Sequence, residues 1–191
     1  MRILVLLATL GCGWLLTTAA APTVTVAGSV PETAASPATL EDLGPAPAFT
    51  LETYEGDEVS LAQYLAEGPV VIEFWATWCA PCRKALPHMQ VIFEKYREQG
   101  LTVLAISQDD PRSQPKIGPY VTANKLTFPV LLDGDKKIAR LYRMTAPPAT
   151  FLVTPEGRVV SLHRGYRDGD EKLLEAEIEA LFAQLAAGEN P

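Results

Sequence analysis

One short stretch restricts the possible folds of this chain more than any other, because it joins an apolar run to a Cys-x-x-Cys pair. The apolar run, Val70–Trp75, is typical of a central strand that is buried on both faces of a sheet. Residues 81–99 then carry apolar side chains at helical spacing, and Gly100 ends that pattern. Cys79 and Cys82 therefore lie where a buried strand turns into a helix, and their i, i+3 spacing brings two sulfur atoms close enough to bridge.

The position of the first cysteine predicts its reactivity. Cys79 lies at the expected N-cap of the helix, where free N–H groups and the helix dipole stabilise a thiolate. Such sites lower a cysteine pKa from about 8.5 to between roughly 3.5 and 7.5. Cys79 is therefore the predicted nucleophile, and Cys82, one turn further on, is the predicted resolving thiol. A redox pair is favoured over half of a metal site or a structural disulfide, and Arg83 after the pair excludes haem attachment through C-x-x-C-H.

Composition limits the classes of function. The chain has 191 residues, with 16 Lys and Arg against 23 Asp and Glu and a formal net charge of −7. A nucleic-acid surface, which needs clustered basic residues, is therefore disfavoured. With 48% hydrophobic and 20% charged residues, the chain is expected to fold as a globular protein. Its three cysteines exclude a disulfide-rich scaffold and offer no second pair for a zinc site, so we predict no metal centre.

The N-terminal segment indicates export. Residues 1–21 contain one basic residue, an apolar run and a cluster of small residues, which is the layout of a secretory signal peptide. The 19 residues 3–21 are also about long enough to span a bilayer, so an uncleaved N-terminal membrane anchor is the alternative, and a lipid attached at Cys12 is a third. All three alternatives place the rest of the chain in the periplasm or another extracytoplasmic space, either secreted or tethered.

The rest of the chain divides into a tether, one domain and a tail. Residues 22–47 contain five prolines among many Ala, Thr and Ser residues, which predicts a flexible tether. Residues 48–187 form the predicted domain, and residues 188–191 form a short tail. Alternating strand and helix signals are followed by a terminal hairpin and a helix, so we predict an α/β fold with a mixed sheet. The predicted strands are 49–51, 59–61, 70–75, 101–107, 127–132, 150–154 and 158–164, and the predicted helices are 61–66, 81–99, 114–125, 136–142 and 171–187.

Residues 71–83, with the sequence Val-Ile-Glu-Phe-Trp-Ala-Thr-Trp-Cys-Ala-Pro-Cys-Arg, resemble the active-site segment of the thioredoxin superfamily, in particular that of TlpA/ResA-type extracytoplasmic thiol–disulfide oxidoreductases. Residues 45–61, 128–133 and 148–157 are also similar to that family. The resemblance covers roughly residues 45–186. It implies a thioredoxin fold, which is a central mixed sheet flanked by helices, with an N-terminal β-hairpin extension and an inserted helix.

The resemblance also implies where substrates bind. Pro148 corresponds to the cis-proline that faces the first cysteine, and the backbone beside it would pair with an extended substrate segment. Pro147 has no N–H, so one main-chain donor is missing and substrate docking is expected to depend more on apolar contact with Trp78. Gly165 matches a glycine that lines the site in these proteins, although the need for a turn would explain it as well.

Glu73 is the candidate for proton transfer. It stands in the apolar strand six residues before Cys79, where thioredoxins carry a buried acid. Desolvation would raise the pKa of its carboxyl group, which suits a group that shuttles a proton for Cys82. Many ResA-type proteins have an acid three residues after the second cysteine, and this chain has Ala85 there. The alternative is a glutamate that is satisfied by a nearby lysine or a backbone group.

Neither histidine is predicted to take part in the chemistry. His88 follows Cys82 by six residues, which places it on another face of the helix and at the surface. His163 lies in a predicted strand and is expected to be structural.

Together these features predict an extracytoplasmic thiol–disulfide oxidoreductase that acts as a reductase. Reduced Cys79 attacks a protein disulfide, and Cys82 resolves the mixed disulfide. No cofactor is expected beyond the redox-active Cys79–Cys82 pair. The expected partners are protein thiol and disulfide substrates and a membrane electron donor that re-reduces the pair, with no nucleic acid, and the protein is expected to be a monomer. The family suggests a role in cytochrome c maturation or in rescue of other extracytoplasmic thiols.

Two other functions stay open at this point. A peroxiredoxin-like thiol peroxidase shares the hairpin and the thioredoxin layout, but it usually has a threonine three residues before its reactive cysteine, whereas Thr77 is two residues before Cys79. A copper-binding chaperone would use the two thiols and a histidine. Peroxide consumption would support the first function, and stoichiometric Cu(I) binding that depends on His88 or His163 would support the second.

Overall fold

The computed structural model describes residues 40–188. The predicted leader, residues 22–39 of the predicted tether and the last three residues of the chain lie outside the described residues. Within residues 40–188, no helix is both long and apolar enough to span a bilayer.

Seven strands and five α-helices make up the described part of the chain. The strands are β1 (Thr50–Glu52), β2 (Glu58–Ser60), β3 (Val70–Trp75), β4 (Thr102–Ser107), β5 (Val130–Leu132), β6 (Ala149–Val153) and β7 (Val159–Arg164). The helices are α1 (Leu61–Leu65), α2 (Ala80–Tyr96), α3 (Ile117–Ala123), α4 (Lys137–Leu141) and α5 (Asp170–Ala187). Short 3₁₀ turns, Arg97–Gln99 and Gln114–Lys116, follow α2 and precede α3.

Five of the strands form one mixed sheet in the order β5-β4-β3-β6-β7. β3 runs parallel to β4 and antiparallel to β6, β5 runs parallel to β4, and β7 runs antiparallel to β6. β3 is therefore the central strand, and all of its residues are buried, as its apolar run predicts. β1 and β2 form a separate antiparallel hairpin, and α3 is inserted between β4 and β5. The predicted mixed sheet with an N-terminal hairpin and an inserted helix is confirmed.

Helices cover both faces of the sheet, because the side chains of β3 alternate between two cores. Val71 and Trp75 face the core that is formed with α2, α3 and α5. Ile72 and Phe74 face the core that is formed with α1 and α4. By the same alternation, Glu73 shares the face of Val71 and Trp75, which is also the face on which the cysteine-bearing helix α2 packs.

Gly100 ends the 3₁₀ turn that follows α2, as predicted. Its φ of 96° lies in the left-handed region, and a Cβ atom added there would lie 2.9 Å from the carbonyl oxygen of Glu67. Only glycine therefore fits this turn, which leads directly into β4.

The strand predicted over 127–132 is shorter in the structure, where β5 begins at Val130. Pro129 has no N–H, so it cannot donate to the ladder at this position. Its carbonyl still accepts a hydrogen bond from the N–H of Ala105 at 3.0 Å, so the segment stays beside β4 without pairing fully.

Part of the predicted tether packs on the domain. The N–H of Leu43 donates to the carbonyl of Val159 at 2.8 Å, and the N–H of Val159 donates to the carbonyl of Gly44 at 2.9 Å. The carboxylate of Asp42 accepts hydrogen bonds from the guanidinium group of Arg158, the shortest at 2.6 Å. Ordered contacts therefore begin before the predicted start of the domain, because this segment satisfies backbone groups of the edge strand β7.

Candidate active site

The cysteine pair lies in the turn between β3 and α2, with Cys79 as the N-cap of the helix and Cys82 in its first turn. A disulfide joins the two residues, whose Cα atoms are 5.3 Å apart. The Sγ atom of Cys79 also accepts a hydrogen bond from the N–H of Cys82 at 3.3 Å. The predicted N-cap position is confirmed. That N–H group and the positive end of the helix dipole would stabilise a thiolate on Cys79 once the disulfide is reduced.

The two cysteines differ in their access to solvent. Cys79 is 6% exposed and Cys82 is 0% exposed. Trp78, which directly precedes the pair, is 56% exposed and presents a large apolar surface beside Cys79. An incoming disulfide can therefore reach Cys79 but not Cys82, which supports the predicted order of attack and resolution.

Pro148 and Gly165 lie next to each other at the end of the sheet where β3 leads into the cysteine turn. The peptide bond between Pro147 and Pro148 is cis, as the family resemblance implied. Pro148 directly precedes β6, whose first residue, Ala149, pairs with Phe74 near the end of β3. The carbonyl of Pro148 accepts a hydrogen bond from the N–H of Gly165 at 2.9 Å. The predicted substrate-binding residues therefore lie at the same end of the sheet: Trp78, Pro147, Pro148 and Gly165.

Glu73 is completely buried in the middle of β3. Its register partner on β6 is Thr150, whose hydroxyl donates to Oε2 at 2.5 Å, whereas Oε1 has no hydrogen-bond partner among the described residues. Burial raises the pKa of Glu73 to about 7, against the opposing effects of the Thr150 hydrogen bond and the charge of His163. The predicted direction of this pKa is confirmed, and the hydrogen-bond partner is a hydroxyl rather than a lysine or a backbone group.

Asp109 holds the turn that precedes Cys79, and the sequence pattern did not single it out. The residue is buried just after β4, and its Oδ2 accepts from the N–H of Thr77 at 2.8 Å while its Oδ1 accepts from the Thr77 hydroxyl at 2.6 Å. The hydroxyl of Ser107 also donates to Oδ2, at 2.9 Å. One signal was available, since an acid two residues after a buried parallel strand lies at the carboxyl end of the strands, where the ligand-binding loops of such sheets gather.

Replacing Asp109 with alanine is expected to destabilise the protein by about 3 kcal/mol, because three buried donors lose their acceptor. Urea unfolding of the variant measures this loss. Asp109→Asn is the matched control, since its amide oxygen can still accept from the N–H of Thr77, and it should lose less. An alanine variant as stable as the unmodified protein would show that Asp109 does not hold the turn.

A proline inside α2 connects this helix to α3. Pro87 has no N–H, so the carbonyl of Arg83, four residues earlier, lacks its usual helical donor. The hydroxyl of Tyr120 donates to this carbonyl at 3.0 Å, and the Tyr120 ring lies 5.3 Å from the ring of Trp75. These contacts hold the first turns of α2, which carry Cys82, against the end of β3.

The two histidines occupy different environments. His88 is exposed, as predicted, and its ring stacks on that of Tyr166 with centroids 6.1 Å apart. His163 lies on β7, and its Nε2 is 2.7 Å from Oε2 of Glu177 on α5. The hydrogen bond with Glu177 raises the pKa of His163. His163 is thus paired with an acid that lies 14 residues further along the chain, on α5.

Residues 44–162 match the AhpC/TSA family. The thiol-disulfide oxidoreductase ResA of Bacillus subtilis (strain 168) is 33% identical over 120 residues, which are 63% of this chain and 65% of that protein. ResA of Bacillus thuringiensis subsp. konkukian is 32% identical over 120 residues, which are 63% of this chain and 68% of that protein. The match therefore spans just under two thirds of the Bacillus subtilis relative.

Solved structures are similar over most of the described residues. A protein from Chlorobium tepidum assigned as the thiol:disulfide interchange protein DsbE is 30% identical, with a TM-score of 0.67 over 75% of this chain and 99% of that one. A thiol:disulfide interchange protein from Bacteroides sp. is 26% identical, with a TM-score of 0.61 over 73% of this chain and 91% of that one. These similarities and the strand order described above identify the fold as that of thioredoxin.

Proposed function

Because the chain belongs to the AhpC/TSA family and, within it, to the ResA-type proteins with a thioredoxin fold, we propose that it is a thiol–disulfide oxidoreductase that reduces disulfides in other proteins. One observation carries the proposal. Cys79, the more accessible residue of the pair, is joined by a disulfide to the completely buried Cys82 at the start of a helix. A pair in this arrangement can form and release a mixed disulfide with a partner.

The proposed cycle starts from the reduced pair. The thiolate of Cys79 attacks one sulfur of a substrate disulfide, a new S–S bond forms, and the other substrate sulfur leaves as a thiolate. Cys82 then gives its proton to Glu73, and the Cys82 thiolate attacks the sulfur of Cys79. The second substrate sulfur leaves as a thiolate, so two electrons pass to the substrate and the Cys79–Cys82 disulfide forms. The cycle needs no cofactor, because the pair itself holds the electrons.

The surface around Cys79 favours an extended protein segment with an apolar side chain. Trp78 offers an exposed ring next to Cys79, and the cis-Pro148 turn, which directly precedes β6, is where an extended peptide segment would dock. Neither Pro147 nor Pro148 has an N–H, and the Pro148 carbonyl already accepts from Gly165. Docking therefore depends on the Trp78 ring more than on main-chain hydrogen bonds.

Pro147→Val is expected to lower the KM for a protein disulfide roughly fivefold, because the variant regains one main-chain donor and a hydrogen bond contributes about 1 kcal/mol. The rate with a small aromatic disulfide, which cannot pair as a strand, is the internal control and should not change. Steady-state kinetics with both substrates measure the difference. An unchanged KM for the protein substrate would mean that the missing N–H does not limit docking.

The leader-like sequence of residues 1–21 supports action outside the cytoplasm, either as a secreted protein or at a membrane anchor. There the oxidised pair would be re-reduced by a membrane electron donor, and protein thiols and disulfides would be the substrates. Maturation of c-type cytochromes is one process that consumes such reducing equivalents, and we include it in the proposal as the role that the resemblance to ResA-type proteins suggests.

Reduction of insulin disulfides, with dithiothreitol as the final reductant, tests the proposed function. The protein is expected to accelerate precipitation of the insulin B chain, and the acceleration should depend on Cys79. The peroxidase alternative is separated by a peroxide-consumption assay with the same reductant. A protein that consumed peroxide and left insulin intact would contradict the proposal.

A further inference from the structure

Three polar side chains form a row across the sheet on the face that also packs against Cys82. Glu73 on β3 is in register with Thr150 on β6, and Thr150 is in register with His163 on β7. Residues that face each other across neighbouring strands project on the same side of the sheet. The row therefore runs from the buried centre of the sheet at Glu73 to its outer strand at His163.

The outer end of this row reaches solvent, whereas the inner end does not. The side chains of His163 and Glu177 are 25% and 20% exposed, and they pair at 2.7 Å. The hydroxyl of Ser161 donates to the same Glu177 oxygen at 2.6 Å, which holds the carboxylate in place. Glu73, in contrast, is 0% exposed. A proton that Glu73 takes up therefore needs intermediate groups to leave the protein.

A small cavity lies next to Thr150 and His163, and both residues line it. Its volume is about 20 Å³, which is room for one water molecule. Ala85 and Met89 of α2 and Leu174 of α5 supply its apolar walls. The cavity therefore offers space beside both polar groups for a hydrogen-bonded bridge between them.

We propose that His163, held by Glu177, is the outer group of a proton path that connects Glu73 with solvent. The proposal rests on the proposed function and extends it to a residue that does not touch the reacting sulfurs. After Cys82 has given its proton to Glu73, the protonated carboxyl donates to the Thr150 hydroxyl. The Thr150 hydroxyl proton passes to the imidazole of His163 across the cavity, and the imidazolium releases a proton to solvent.

The charges around the path suit this transfer. His163 is faced by Glu177 and Asp170 of α5 and by Glu73 of β3, and these acids together raise its pKa. Glu73 is faced by the neutral Thr150 of β6, which donates to it, and by the charge of His163 on β7. From α2, the uncharged Ala85 and Met89 line the cavity beside Thr150. Tyr166 and Glu171 also line the cavity, and the hydroxyl of Tyr166 donates a hydrogen bond to the carboxylate of Glu171. Burial raises the pKa of Glu73 to about 7, and the hydrogen bond with Glu177 raises the pKa of His163, so both groups hold a proton more readily than the free side chains do.

The test is the pH dependence of the resolving step in His163→Gln. A mixed disulfide between Cys79 and a thiol reporter is prepared, and its decay is followed by stopped flow from pH 5.5 to 9. The variant is expected to resolve roughly tenfold more slowly near pH 7. Its rising limb should also move to higher pH, because the charge of His163 no longer lowers the pKa of Glu73. His88→Gln, the same change at the exposed histidine, is the matched control and should leave both quantities unchanged.

A second measurement keeps the proposal separate from the proposed function. Carbon NMR of the Glu73 carboxyl group in the full-length protein reports its titration whether or not the protein reduces insulin. The Glu73 titration should shift upward in His163→Gln and, to a smaller extent, in Glu177→Gln. Failure of the unmodified protein to reduce insulin would overturn the function. An unmoved Glu73 titration together with an unmoved rate profile would overturn the proton path alone.

Discussion

Cys79→Ser is expected to abolish insulin reduction, with a loss of roughly a thousandfold or more, because the first covalent step has no other nucleophile within reach of a substrate. Cys82 is completely buried and cannot take over the attack. Serine keeps the size and the N-cap function of the side chain, so helix α2 should still form. The turbidity assay with dithiothreitol measures the loss.

Cys82→Ser is the matched variant for this prediction. It keeps the attacking thiol but cannot resolve the mixed disulfide, so a covalent adduct between the protein and its substrate should accumulate and appear on a non-reducing gel. Cys79→Ser should give no such adduct. The reverse pattern, with the adduct forming only when Cys79 is absent, would mean that the assignment of the two cysteines is wrong.

Glu73→Gln is expected to stabilise the protein at alkaline pH and to slow its chemistry. The folded-state pKa of about 7 lies above the usual glutamate value of 4.5, so the folded protein binds more protons between these pH values than the unfolded chain does. Stability is therefore lost as pH rises from about 4.5 to about 7, and the loss then stays constant. The two pKa values correspond to a cost of roughly 3 kcal/mol above pH 7, which glutamine avoids.

Urea unfolding of both proteins at pH 4.5 and pH 8 measures this effect. The unmodified protein should be less stable at pH 8 than the variant by up to roughly 3 kcal/mol, and the two should be close at pH 4.5. Glu98→Gln, which neutralises an exposed carboxylate, is the control for a change in net charge and should show little of this pH dependence. Equal pH dependence in Glu73→Gln and the unmodified protein would contradict a buried, shifted carboxyl group.

The chemistry of Glu73→Gln should change in the opposite sense to its stability. An amide cannot accept the Cys82 proton, so the resolving step is expected to slow roughly tenfold to a hundredfold between pH 7 and 8. In the unmodified protein the rate should level off above about pH 7, where Glu73 is ionised, whereas in the variant it should keep rising with pH. Identical profiles would show that Glu73 does not take the proton. A buried acid that lowers stability but accelerates proton transfer is the trade-off expected at a functional site.

The cysteine turn could be predicted because its geometry depends on near neighbours. The apolar run of β3, the N-cap position of Cys79 and the i, i+3 spacing of the pair all lie within residues 70–82. The burial of Glu73 and the direction of its pKa also followed from its place in that run, and the structure confirms both. The hydrogen-bond partner of Glu73 did not follow, since Thr150 lies 77 residues further along the chain.

Two predicted boundaries differ from the structure for reasons that lie outside the local pattern. Residues 42–44 looked like part of a proline-rich tether, yet they supply hydrogen bonds to the edge strand β7. The predicted strand begins at residue 127, yet Pro129 cannot donate to the ladder, so β5 begins at Val130, three residues later than predicted. In each case the local sequence pattern predicts one boundary, but hydrogen bonding with the backbone groups of another segment sets a different one.

The sequence by itself determined that a strand buried on both faces leads into a helix that begins with a reactive cysteine pair, because hydrophobic spacing and N-cap chemistry act over a few residues. Only the tertiary structure decided that Asp109 accepts hydrogen bonds from Thr77 in this turn, 32 residues away along the chain. It also decided that His163, at the outer end of the row of side chains that begins at Glu73, pairs with Glu177. These contacts depend on strand register and on helices packed against the sheet, and both exist only once the whole core has closed.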